Sequence, residues 1–68
     1  MERFINEKEA ASILGLAPVT LRVWRVQRRG PRYCKFGRQV RYPYSELMRW
    51  ADAQLRNTFD SPGEVQHE

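Results

Sequence analysis

Sixty-eight residues allow one domain with a thin core. A chain this short buries only about 60% of the surface its unfolded form exposes, which argues against deep substrate pockets. The apolar content of 41% excludes a disordered chain, while the net charge of +4 and the sequence pI of about 9.8 favour an anionic partner, nucleic acid or an acidic membrane surface.

The N-terminal stretch MERFINEKEAA contains no apolar signal region, and no apolar run approaches the roughly 20 residues of a membrane span. Asn6 suits a helix cap, with Glu9 as its reciprocal partner. Phe4 and Ile5 precede the cap and suit a hydrophobic staple. The helix EKEAASIL follows, with Ala10, Ile13 and Leu14 spaced as one buried face, and Gly15 as its natural stop. Glu7 and Glu9 are expected on the solvent side of its start, where acids favour the helix dipole.

Leu16 and Ala17 lead into Pro18, which suits the first position of a second helix. That helix reads PVTLRVWRVQRR and is expected to end at Gly30-Pro31. Two helices joined by so short a turn form a helix-turn-helix unit, whose second helix lies in the major groove of DNA.

The segment RYCKFGRQVRY then splits into two short aromatic-rich strands around Gly37-Arg38, the signal of a hairpin. Alternation puts Cys34 and Phe36 on one face and Tyr33 and Lys35 on the other. Such a hairpin must pack on the helices to be stable. Cys34 is the single cysteine, so no internal disulfide framework exists; a reducing, cytoplasmic setting fits. It reads as a small buried strand residue. Pro43 ends the strand, and a third helix is expected over residues 44–55, with Leu47, Trp50, Ala51 and Leu55 inward. The stretch RNTFDSPGEVQHE lacks periodicity and reads as a mobile tail, which divides the chain into a domain over residues 1–55 and a tail over 56–68. Trp24, Phe36, Tyr42 and Trp50 are expected inside, because so small a domain needs them there, whereas Tyr33 suits an exposed position near a ligand.

The segment from Arg22 to Arg41 holds eight Lys/Arg in twenty residues, and no Asp or Glu occurs between Glu9 and Glu46. The cations fall on the second helix (Arg22, Arg25, Arg28, Arg29), the following turn (Arg32) and the hairpin (Lys35, Arg38, Arg41). The acids lie in the other two helices and the tail, expected to be the far sides. One-signed charge over a helix-turn-helix pattern is the footprint of a phosphate backbone, in preference to a solvated basic loop. On a helical wheel Leu21 and Trp24 share a face with Ala17, while Val19, Arg22, Val23 and Val26 point away and Arg25 lies at the border. Either Val26 and Val23 pack beneath the hairpin, or Val19 and Val23 meet thymine methyl groups in the major groove. Arg22 suits a guanine edge or a phosphate equally. Arg41 suits DNA or an ion pair with Glu46. Thr20 and Gln39 complete the polar candidates on the same elements.

Chemistry of other kinds lacks its residues. His67 is the single histidine and lies in the tail, so neither a nucleophile–His pair nor a zinc site can be assembled on the folded part. No glycine-rich phosphate loop is present, and no cofactor is expected. An RNA-coating protein and a module that covers an acidic protein remain open on charge alone.

From Phe4 to Leu55 the sequence resembles the excisionase family of small winged-helix DNA-binding domains, relatives of the MerR-type helix-turn-helix domains. The resemblance lies in NEKEAASILGLAPVTLRVWR, GPRYCKFGRQVRY and SELMRWADAQ, through Leu14-Gly15, Thr20-Leu21, Trp24, Gly37, Arg41-Tyr42, Leu47 and Trp50. It implies a mainly α winged helix-turn-helix with a two-stranded wing and a closing helix. It also implies double-stranded DNA as partner, with the wing on the backbone or minor groove, and a role in excision of mobile DNA or in transcription control. The sequence departs from the family at Ala17, where serine or threonine is usual, and at Val23 and Val26, where polar residues are usual. No dimerisation helix follows Leu55, so a monomer in free solution is expected that binds repeated sites, bends DNA, and contacts an integrase or neighbouring copies. Phe59 and Val65 are the apolar anchors available to the tail.

Overall fold

A computed structural model of the protein describes the backbone of residues 1–60 and the side chains of residues 1–56. Asn6 starts helix α1 (Glu7–Leu14) from an extended backbone, its side chain accepting the Glu9 N–H at 2.8 Å. The reciprocal bond is absent, because the Glu9 carboxylate takes the Arg3 guanidinium at 3.0 Å instead. Helix α2 (Pro18–Val26) opens at Ala17 with no side-chain cap, and Pro18 supplies the pre-set φ of its first turn. It ends sooner than expected. Gln27 and Arg28 form a turn, so Arg28 and Arg29 follow the helix rather than extend it.

Strands β2 (Cys34–Phe36) and β3 (Gln39–Pro43) pair antiparallel around Gly37-Arg38, with Cys34 opposite Arg41, Lys35 opposite Val40 and Phe36 opposite Gln39. The sheet has a third member. Residues Phe4–Ile5 form a short strand, here β1, pairing with Pro43 and Tyr42 and giving the order β1-β3-β2. The pair expected as a staple is thus one edge of the sheet, opposite β2. A third strand lends the hairpin the support that two strands alone lack.

Helix α3 runs Tyr44–Asp60, past the expected end at Leu55, so the expected start of the tail at Arg56 falls inside it. Residues 61–68, with Val65 and His67, and the Phe59 side chain lie outside the described residues. The N-terminus ties down the start of α3. Tyr44 N–H donates to Arg3 O at 2.8 Å, and the Ser45 N–H and hydroxyl donate to the Glu2 carboxylate at 3.1 and 2.6 Å. Those two bonds from Ser45 hold Glu2 below the ordinary carboxylate value.

The core is small: Ile5, Ala10, Ala11, Leu21, Tyr42 and Leu47 are buried, flanked by Leu14, Leu16, Trp24, Val40 and Tyr44. The two alanines let α1 lie close to α2 and β3, and this rotates α1 so that Ile13 is exposed rather than buried. Phe36, expected inside, is 54% exposed and meets Phe4 edge-on at 5.5 Å, the two rings shielding each other across β3. Trp24 and Trp50 are half-buried against each other at 5.6 Å, and Leu55 faces solvent. Three helices with this antiparallel sheet make a small winged helix-turn-helix, in which β2 and β3 are the wing. Among the described residues no helix is long and apolar enough to cross a membrane.

Candidate nucleic-acid interface

Leu21 anchors α2 by its buried side, so the opposite side is fixed outward. There Val19 is 53%, Val23 45% and Val26 80% exposed, with Arg22 exposed among them. Val26 does not pack beneath the hairpin, and neither does Val23. The spacing 19, 23, 26 places all three on one stripe of the helix. Thr20 is half-buried beside it.

Arg25 is held where α2 meets the wing. Its Nη1 donates to the Tyr42 hydroxyl at 2.8 Å, its Nη2 to Glu7 Oε1 at 2.8 Å, and its guanidinium lies 5.6 Å from the Tyr33 ring centroid. Tyr33 in turn leans on Tyr42, with centroids 6.1 Å apart. The Arg25 side chain is only 16% exposed, which makes it a strut between elements rather than an open cation. Burial keeps the Tyr42 hydroxyl above its ordinary value, so it accepts this bond as a neutral phenol.

The second oxygen of the same carboxylate is also engaged. Arg22 Nη2 donates to Glu7 Oε2 at 2.8 Å. Glu7 therefore does not sit on a far, solvated side; it enters the basic face from α1. Burial works to raise its carboxyl, yet the bonds from Arg25 and Arg22 outweigh burial and hold it below its ordinary value. Sequence spacing carries no signal for this contact, because fifteen positions separate the partners Glu7 and Arg22.

Beyond α2 the chain folds into an open concavity of about 540 Å³, lined by Arg25, Val26, Arg28, Arg29, Arg32 and Tyr33, among others. Arg29 lies over Trp24, its guanidinium carbon 5.1 Å from the ring centroid. Arg28 and Arg32 are exposed, and among the described residues no acid pairs with either. The structure thus gathers four of the expected cations around one hollow. Apart from Arg22 on α2, the others lie along the wing: Lys35 exposed on β2, Arg38 at the turn and Arg41 on β3, where Gln39 is also exposed. Arg41 is half-buried opposite Cys34, whose thiol donates to Arg41 O at 3.6 Å. Arg41 Nη1 donates to the Val40 carbonyl at 2.8 Å, while Glu46 pairs with Arg49, so the Arg41–Glu46 pair does not form. Among the described residues no three His, Cys, Asp or Glu side chains come together as a metal site.

A family model described as a helix-turn-helix domain matches residues 4–55. No curated protein and no solved structure matches the chain.

Proposed function

The chain belongs to the helix-turn-helix domain family, and from that premise we propose that it binds duplex DNA in a sequence-dependent manner, with α2 in the major groove and the wing on the backbone. One observation carries this reading. The outward stripe of α2 pairs three uncovered valines with Arg22, and the helix leads directly into the cluster Arg28, Arg29 and Arg32. Apolar branched side chains left in water on a helix gain nothing for folding, whereas the major groove offers thymine methyl groups to such a surface. Cations beyond the helix end and along the wing then serve phosphates, which position the protein without reading sequence.

The finer role proposed is that of an excision accessory factor. It binds repeated sites as a monomer, bends the DNA between them, and works beside a site-specific integrase and neighbouring copies. The resemblance of residues 4–55 to excisionases supports this. A bound duplex that stays straight, with independent binding at adjacent sites, would favour the transcription-control role instead.

The test is a salt titration of binding. With at least four phosphates neutralised, log affinity should fall against log salt with a slope of about −4 or steeper. A slope shallower than about −2 would remove the basic face as the binding face. On that same assay Arg38→Ala should weaken all duplexes alike. Val23→Ala should narrow the gap between a selected duplex and a random one by about 1–3 kcal/mol if a base contact is lost.

A further inference from the structure

Glu7 presents a problem for a surface that meets phosphates. Among the described residues it is the one acid in contact with α2, and it sits between two of the arginines of that helix. A carboxylate there repels DNA. Its retention in so tight an arrangement requires a physical reason.

The two halves of the carboxylate do different work. Oε1 faces Arg25, which is fixed by two further contacts, the hydrogen bond to Tyr42 and the Tyr33 ring. That side anchors Glu7, whose side chain is only 20% exposed. Oε2 faces Arg22, whose side chain is 60% exposed and which stands beside the exposed valines on the outward side of α2. The guanidinium of Arg22 spends one donor on Glu7 and keeps the rest of its five-donor fork. A long arginine held at one corner loses less conformational freedom when it meets a base. Capture of Arg22 by a phosphate, which carries a full negative charge, competes directly with Glu7. Contact with a neutral base edge through the remaining donors does not.

We propose that Glu7 is a positioning residue for sequence readout: it aims Arg22 at base edges and withholds it from phosphates. The inference rests on the reading of α2 as the helix that faces DNA. Glu7 thereby lowers the affinity for random DNA and raises the ratio of specific to random binding.

The experiment compares two duplexes of equal length, one selected from a random pool by the wild-type protein and one scrambled. Glu7→Gln keeps the shape and removes the charge. It should tighten binding to the scrambled duplex by roughly 3–10-fold and reduce the ratio between the duplexes. Its salt slope on the scrambled duplex should steepen by about 0.9, the signature of one more phosphate neutralised. These changes should disappear in an Arg22→Gln background. Arg22→Gln with Glu7 intact leaves the anchor on Arg25 in place and gives an independent reading. It should weaken the selected duplex and leave the scrambled one almost unchanged. A purely structural Glu7 would lower the melting temperature and weaken both duplexes together, which would overturn the proposal. So would an Arg22→Gln variant that loses both duplexes equally. Wild-type protein that binds neither duplex would overturn the DNA reading itself, whereas wild-type binding with an unchanged ratio in Glu7→Gln would overturn only the role of Glu7.

Discussion

Helices α1 and α2 end with the same hydrogen-bond scheme and opposite residue chemistry. At the end of α1, Gly15 N–H reaches Ser12 O at 3.1 Å and Leu16 N–H reaches Ala11 O at 2.8 Å, with Gly15 at φ 73°. At the end of α2, Arg28 N–H reaches Arg25 O at 3.2 Å and Arg29 N–H reaches Trp24 O at 2.9 Å, with Arg28 at φ 60°. Each turn satisfies carbonyls that a helix end leaves open. Glycine takes the left-handed position without a steric penalty, while a side chain there costs roughly 1–2 kcal/mol. The first turn puts no charged side chain at the left-handed position. The second keeps a guanidinium at a position where glycine would be easier, on the rim of the arginine-lined hollow. Backbone strain of this kind concentrates where function needs a side chain in a fixed place.

Three substitutions sharpen or break that comparison. The largest effect is expected at Gly30, two residues beyond Arg28. Its φ is 92°, and a Cβ would stand 2.8 Å from Trp24 Cε3 and 3.2 Å from Trp24 Cβ. A shift of the Trp24 ring to make room would disturb its contact with Trp50, whose centroid is 5.6 Å away. Gly30→Ala should lose roughly 2–4 kcal/mol of stability by urea unfolding, from left-handed strain and overpacking together. A loss no larger than that of a surface substitution would show that Trp24 is loosely held.

A smaller loss is expected at Gly15, where a Cβ meets nothing within 4 Å. Gly15→Ala should cost only the conformational term, about 1–2 kcal/mol, and leave the salt slope of DNA binding unchanged. An altered slope would mean that the end of α1 also touches the ligand.

The smallest effect carries the opposite sign. Arg28→Gly should stabilise the fold by up to about 1 kcal/mol, because the left-handed position is relieved. The same variant should bind DNA more weakly, with a salt slope shallower by about 0.9. Stability and affinity moving apart is the outcome that marks a functional cation. Loss of stability in Arg28→Gly would instead make Arg28 a packing residue and end the contrast between the two turns.

The sequence by itself determined the features that a few neighbouring residues dictate. Asn6 caps α1 through a bond to Glu9 three positions on; Gly15 stops it; Pro18 opens α2 after an uncapped Ala17; Gly37-Arg38 turns the wing; and Leu47 is buried. Each follows from turn chemistry or from a helical period, both of which act within about four residues. Helix order, the helix-turn-helix unit and the hairpin were legible for that reason, whereas the winged class was what the resemblance of residues 4–55 implied. The outward side of α2 was legible too, once Leu21 and Trp24 defined its inner side.

The tertiary structure decided what depends on residues far apart in the chain. Ile5 becomes a strand because Tyr42 lies opposite it, and Ile13 is exposed because Ala10 and Ala11 set the approach of α1. Phe36 leaves the core because β1 brings Phe4 to the same face of the sheet. Helix α2 stops at Val26 so that Arg29 N–H can reach Trp24 O and Gly30 can lie against the Trp24 ring. Separations of 15, 17 and 43 positions join Glu7 to Arg22, Arg25 to Tyr42 and Glu2 to Ser45. No local pattern encodes such pairs, because their energy depends on two elements arriving at the same place. The charge of the basic segment was therefore visible in the sequence, but its division into a strut at Arg25, a side chain tethered to Glu7 at Arg22 and exposed cations at Arg28 and Arg32 arises only when α1, α2 and the wing meet.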